Sequence, residues 1–172
     1  MPLNDEQSIS LLRDALAETQ ATIRAYDTKA QIVGVGYVFA LGIVGSVEKM
    51  VPKTASVDVI AIVFAWAVVI LPILLFGFVL YPSRKTAPRL EEDPVKRPEF
   101  VLYVDTDRHR DVEQLRQSVA RCDPVNEFAF EVLKLSKLRE LKRQRFLRAL
   151  FCAALAFVLV FTTQLMRVQG WL

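Results

Sequence analysis

Histidine occurs once, at His109, and cysteine twice, at Cys122 and Cys152. A structural zinc site takes four such ligands, and three scattered ones cannot fill it. Cys122 lies in a charged stretch and Cys152 inside an apolar run, so a disulfide between them is not expected and nothing calls for an oxidising compartment. His109 has no serine or cysteine nucleophile at a recognisable spacing. Asp105, Asp107 and Asp111 lack the glycine and the terminal glutamate of a calcium loop, which leaves helix capping as their role. Gly34-Val35-Gly36 lies within an apolar run with no strand before it, which excludes a dinucleotide loop. The first twenty residues carry Asp5, Glu6, Asp14 and Glu18 against Arg13, and the first apolar run begins only near Ile32. A signal peptide has a basic start and an immediate apolar core, so this segment is expected to be retained. No catalytic constellation is present, and the expectation is a protein that is not an enzyme and carries no cofactor or metal.

Charge is missing from three stretches, and these decide the class. Eighteen residues between Lys29 and Glu48, 25 between Asp58 and Arg84, and 18 between Arg148 and Arg167 hold no charged side chain. A bilayer core is crossed by roughly 17 to 25 such residues in a helix. The pattern predicts an all-α membrane protein of three transmembrane helices with a cytoplasmic helical bundle. The spans cover 32–47, 59–81 and 149–166, with a loop at 48–58 and a tail at 167–172. Three spans leave too little of the 172 residues for a separate soluble enzyme core. The segments 1–31 and 82–148 then share one side of the membrane and hold 19 of the 22 Lys and Arg residues, which makes that side cytoplasmic by the positive-inside rule.

Glycine and proline are absent from Val125 through Gln169. Cytoplasmic helix and third span therefore form one rod of about 40 residues, roughly 60 Å long. Asp123-Pro124 starts it, and Asp105, Thr106 and Asp107 offer caps for a shorter helix from about Arg108 to Ala120. The stretch from Pro82 through Pro88, Pro94 and Pro98 cannot be regular helix, and Phe100 to Val104 is a short extended or docking piece. At the N-terminus Asn4 or Asp5 caps a helix on which Ile9, Leu12, Leu16, Ile23 and Ala30 form an apolar stripe.

Inside the spans, Ala30/Gly34, Gly36/Ala40 and Gly42/Ser46 are small pairs four apart that let helices approach closely. Pro72 sits near the centre of the second span, where a kink or an unpaired carbonyl is expected. Thr162, Thr163 and Gln164 end the third with polar atoms that need a partner or water. Lys134, Lys137, Arg139, Lys142, Arg143, Arg145 and Arg148 place seven cations against Glu140 within 15 residues. Such a cluster serves either as a juxtamembrane anchor for anionic lipid or as a phosphate-binding surface. Leu135, Leu138 and Leu141 provide the face that holds this helix against its neighbours.

Thr22 to Ala30 before the first span, Leu80-Tyr81-Pro82-Ser83-Arg84 after the second, and Leu133-Lys134-Leu135-Ser136-Lys137 with Lys142 before the third resemble the transmembrane effector domain of bacterial Pycsar antiphage systems. The resemblance spans about residues 22 to 166 and implies an inner-membrane effector with a cytoplasmic N-terminus, controlled by a nucleotide from a cognate cyclase or nucleotidyltransferase. No cyclic nucleotide-binding domain is recognisable within these 172 residues, so the expectation is that the helical cytoplasmic part itself reads the signal. A stand-alone effector of this kind is also similar to the membrane component of the Hailong defence system. That likeness implies a homo-oligomeric ion channel, a tetramer being one assembly, held closed by a short single-stranded DNA. A polyanion suits the basic cluster better than a mononucleotide, because a repeated phosphate backbone engages several cations at once. The resemblance places Arg24, Asp27 and Lys29 at the cytoplasmic mouth, with Arg24 and Asp27 three apart and able to pair. Lys142 matches the family's lysine and shares its side of the helix with Arg139 and Arg143. The expected ligand residues are Arg139, Lys142, Arg143, Arg24 and Lys29, and the expected gating residues Asp27, Pro72 and Gly34. A membrane adaptor that recruits a partner protein, or a small transporter subunit, are the alternatives from other classes.

Overall fold

The computed structural model describes residues 4–48, 59–81, 99, 101–102 and 111–169, with side chains given for most of them. The expected loop 48–58 beyond its first residue, the proline-rich stretch 82–98, most of the docking piece, the Asp105–Asp107 caps, His109 and the last three residues of the tail lie outside the described residues.

Four helices follow one another: α1 (Asp5–Glu48), α2 (Val59–Leu80), α3 (Val112–Arg121) and α4 (Pro124–Val168). The Asn4 Oδ1 accepts from the Glu6 amide at 2.8 Å and closes the first turn of α1, where Asp5 and Glu6 also suit the positive end of the helix dipole. The helix α3 opens on Asp111, whose carboxylate accepts from the Gln114 amide at 2.8 Å. The expected start near Arg108 is thereby corrected to Val112: an extended aspartate with a carboxylate over the N3 amide sets where the first turn begins. Asp123 accepts from the Val125 amide at 3.1 Å, and Pro124 takes the first helical position, where its missing N–H costs nothing. With no breaker beyond it, α4 runs for 45 residues, about 68 Å at 1.5 Å per residue.

The chain forms two compact units. One takes in the described residues of Met1–Arg24 and Ser83–Leu141, the other Ala25–Pro82 and Lys142–Leu172. In the first unit the stripe Ile9, Leu12, Leu16 and Ile23 is half-buried, whereas Leu11, off the stripe, is exposed. Leu138 is buried, with Leu135 and Leu141 half-buried beside it on α4. Thr19, Glu127 and Glu131 are buried polar residues of this unit.

The second unit mixes small and aromatic residues in its interior and leaves many large apolar ones exposed. Its centre is Ala30 and Tyr37 from α1, Phe76 and Val79 from α2, and Ala149, Ala153 and Ala156 from α4. The alanines recur four and three apart on one face of α4, and Phe151, Leu155, Val158 and Phe161 occupy its other faces, exposed. On α1 the exposed side chains are Ile32, Val35, Val38, Phe39 and Ile43, and on α2 they include Trp66, Ile70, Leu74 and Phe78. Small residues inside bring the helix backbones close, and large apolar residues outside suit a solvent as apolar as they are.

Among the described residues one helix, Pro124–Met166, is long and apolar enough to cross a membrane, and Trp66–Leu80 is a shorter apolar stretch. The expectation of three full spans is thus not met as a set. Apolar sequence on α1 is confined to its second half, whose side chains beyond Ile43 are outside the described residues, and described side chains of α2 become continuous only from Trp66.

Candidate functional site

The basic segment of α4 separates into held and exposed cations. Lys134 reaches the Glu131 carboxylate at 3.7 Å and lies 5.9 Å from the centre of the Phe130 ring. Lys137, Arg139, Arg143 and Arg148 are exposed. Lys142 is buried, and its ammonium donates to Asp27 Oδ1 on α1. Arg145 is half-buried with its guanidinium 4.2 Å from the Phe78 ring centre, and its Nη1 is buried without a hydrogen-bond partner. Arg139 and Arg143 therefore do not share the side of Lys142 as expected. They are four apart on an outward face, and Lys142, about 100° round the helix from Arg143, points inward.

Asp27 takes Lys142 as its partner, joining residues 115 apart in sequence. A buried ammonium is costly unless paired, which explains why this contact forms where the interior would otherwise hold only apolar atoms. Around it, Tyr26 meets Phe146 at 6.1 Å between ring centres, and Phe146 meets Phe76 at 6.4 Å. Lys29 is exposed and 5.9 Å from the Tyr26 ring centre, and Arg24 is exposed on the N-terminal half of α1.

The expected gating positions fall on the same packing. A Cβ built on Gly34 would stand 3.5 Å from the Phe76 Cβ, so this glycine lies against α2. Gly36 and Gly42 face nothing within 4 Å among the described residues. Pro72 is fully buried inside α2. It offers no N–H to the Val68 carbonyl, and the next carbonyl, Val69, accepts from the Tyr37 hydroxyl at 3.2 Å. Thr162 and Thr163 satisfy their hydroxyls on the Val158 and Val160 carbonyls of their own helix, whereas Gln164 Oε1 is buried without a hydrogen-bond partner.

Residues 11–168 match the Pycsar effector protein domain family. The chain belongs to that family. The match covers all four helices except the first turns of α1, and membership makes this a transmembrane effector of antiphage defence. No curated protein and no solved structure matches the chain. Arg145 is not singled out by the sequence, where it stands unsorted among seven cations. Its phenylalanine partner is on another helix, so no spacing along α4 marks it.

Proposed function

We propose that the chain is a three-span, homo-oligomeric effector that opens the bacterial inner membrane as an ion channel, under control of a nucleotide or short oligonucleotide from a cognate nucleotidyltransferase or cyclase. The observation that carries this reading is the unit of Ala25–Pro82 and Lys142–Leu172, with alanines inside and exposed Phe39, Trp66 and Phe151 on all three helices. An apolar surface of that extent is unfavourable in water and is what lipid requires. Family membership supplies the setting of antiphage defence.

The cytoplasmic position of the N-terminus and of 82–148 is supported by the distribution of Lys and Arg. Ligand control is supported by the exposed cations of each unit, Arg24, Lys137 and Arg139 in the first and Lys29, Arg143 and Arg148 in the second. These cations suit a repeated phosphate backbone such as single-stranded DNA. The protein acts through conduction and not through catalysis.

Expression without the partner system tests the reading. Membrane potential should collapse and growth stop, and protein reconstituted in planar bilayers should pass a current that nucleotide ligand alters. Unchanged membrane potential together with silent bilayers would refute the channel.

A further inference from the structure

The described side chains of the Ala25–Pro82 and Lys142–Leu172 unit hold one carboxylate, Asp27, against five cations: Lys29, Lys142, Arg143, Arg145 and Arg148. The imbalance is concentrated where α4 enters the unit. Lys142 is buried and donates to one acceptor, the Asp27 carboxylate, although an ammonium carries three donors. Arg145, less than one helical turn further on, keeps a buried nitrogen without a hydrogen-bond partner. The Asp27 side chain is one-third exposed, so the anion that faces Lys142 is reachable from solvent although the ammonium is not.

We propose that Lys142 is an anion-exchange site. The Asp27 carboxylate occupies it in the described state, and a phosphate group replaces that carboxylate when ligand is bound. A backbone phosphodiester carries one negative charge on two free oxygens, as a carboxylate does, and it can meet donors of Lys142 and Arg145 that Asp27 leaves without acceptors. Because Asp27 is on α1 and Lys142 on α4, exchange also releases a charged tie between these helices. The ligand signal thereby becomes a change in helix packing. Identification of the phosphate with a nucleotide rests on the proposed function, and an anionic lipid headgroup offers the same chemistry.

Binding of a fluorescent single-stranded oligodeoxynucleotide to the full chain in uncharged detergent reads the exchange. Asp27→Asn removes the resident anion with little change in volume, and affinity should rise about tenfold, as expected when a competing contact of roughly 1.4 kcal/mol is lost. Asp27→Glu keeps the anion and should bind as the wild type does. Lys142→Gln should weaken binding, and the double variant should match Lys142→Gln alone, since Asp27 acts through Lys142. Unchanged affinity in a helical, monodisperse Asp27→Asn protein overturns the exchange. A second measurement leaves the pair intact: cysteines substituted for Tyr26 and Phe146 should cross-link several-fold more slowly when oligonucleotide saturates the protein, and an unaltered rate is again contrary. If neither wild type nor variants bind oligonucleotide, nucleotide control fails by itself. Cross-linking in phosphatidylglycerol vesicles against neutral detergent then decides: slowing in the vesicles retains the exchange with lipid phosphate as its source, and equal rates end it.

Discussion

The Tyr37 hydroxyl on α1 donates to the Val69 carbonyl on α2 at 3.2 Å, three residues before Pro72. The same ring packs edge-on against Phe157 of α4 at 5.2 Å, so one side chain ties all three apolar helices. Tyr37→Phe keeps the ring contact and deletes the hydrogen bond. Unfolding in mixed micelles should show a loss of about 0.6 kcal/mol, the mean for interhelical hydrogen bonds in a membrane protein. Tyr37→Ala removes the ring as well and should cost about 3–5 kcal/mol, as large core truncations do. Equal stability of Tyr37→Phe and wild type would show that the hydroxyl has an equivalent partner when α2 relaxes.

Glycines on α1 should divide by where their missing side chains point. At Gly34 an added Cβ makes an ordinary contact with Phe76 at 3.5 Å, so Gly34→Ala should be nearly neutral. A leucine there has to displace Phe76 and should cost about 1–3 kcal/mol. An added Cβ at Gly36 or Gly42 has nothing within 4 Å among the described residues, so Gly36→Leu and Gly42→Leu should leave protomer stability within about 0.5 kcal/mol of wild type. If either nevertheless abolishes assembly on cross-linking, that position faces a second copy. If both assemble normally, contact between copies lies elsewhere.

Periodicity and punctuation made the helices legible. The Asp123-Pro124 start and the unbroken sequence after it gave the whole of α4, and charge-free runs marked the apolar faces of α1 and α2. Local rules could not choose among Asp105, Asp107 and Asp111 as a cap, because each aspartate has the same intrinsic preference and only the conformation at Asp111 selects it. The partner of Asp27 was equally hidden. Arg24 is three residues away, Lys142 is 115 away, and only tertiary packing brings the distant cation to the carboxylate. The same packing separates Lys142 from Arg139 and Arg143, which composition alone presents as one cluster.

Topology gives a prediction independent of the channel. Cysteines substituted for Lys53 and Lys96, in a background carrying Cys122→Ser and Cys152→Ala, probe opposite sides, although both positions are outside the described residues. An impermeant maleimide applied to spheroplasts should label the first and spare the second until the membrane is broken. Labelling of Lys96→Cys alone would invert the protein, against the 19 of 22 cations on the proposed cytoplasmic side.

Cys122 should be a slow thiol. Burial, then the nearby charges of Glu127, Asp123 and Glu99, push its pKa above the usual value, and the thiolate is the reactive form. At neutral pH the thiolate fraction is therefore below that of an exposed cysteine. Alkylation should be slower than for a peptide thiol, with its half-maximal rate shifted to higher pH. Glu127→Gln removes one of the causes and should move that midpoint back toward the peptide value, whereas a midpoint that stays in place would leave desolvation, with Asp123 and Glu99, as the cause.

Salt dependence separates the two kinds of cation on α4. If single-stranded oligonucleotide binds along the exposed cations, affinity falls as salt rises with a slope of about 0.7 per phosphate contact. Arg139→Gln and Arg143→Gln should each lower that slope by about 0.7 and leave helical content and unfolding unchanged, because both side chains are exposed. Lys142→Gln behaves differently. It leaves the Asp27 carboxylate, one-third exposed, facing a neutral amide, so it should destabilise the unit by about 1–3 kcal/mol, the cost of taking one partner from a charged hydrogen bond. Lys142→Gln with Asp27→Asn should recover most of that loss, since two neutral amides can hydrogen-bond where an uncompensated charge cannot. Unfolding curves and binding isotherms at several salt concentrations on the same four proteins give the answer. A cluster that is only a lipid anchor predicts no oligonucleotide slope in neutral detergent and an equal effect of every cation on association with anionic vesicles. The ligand reading predicts the opposite ranking, with Arg139 and Arg143 moving the slope without a change in stability and Lys142 moving both binding and stability.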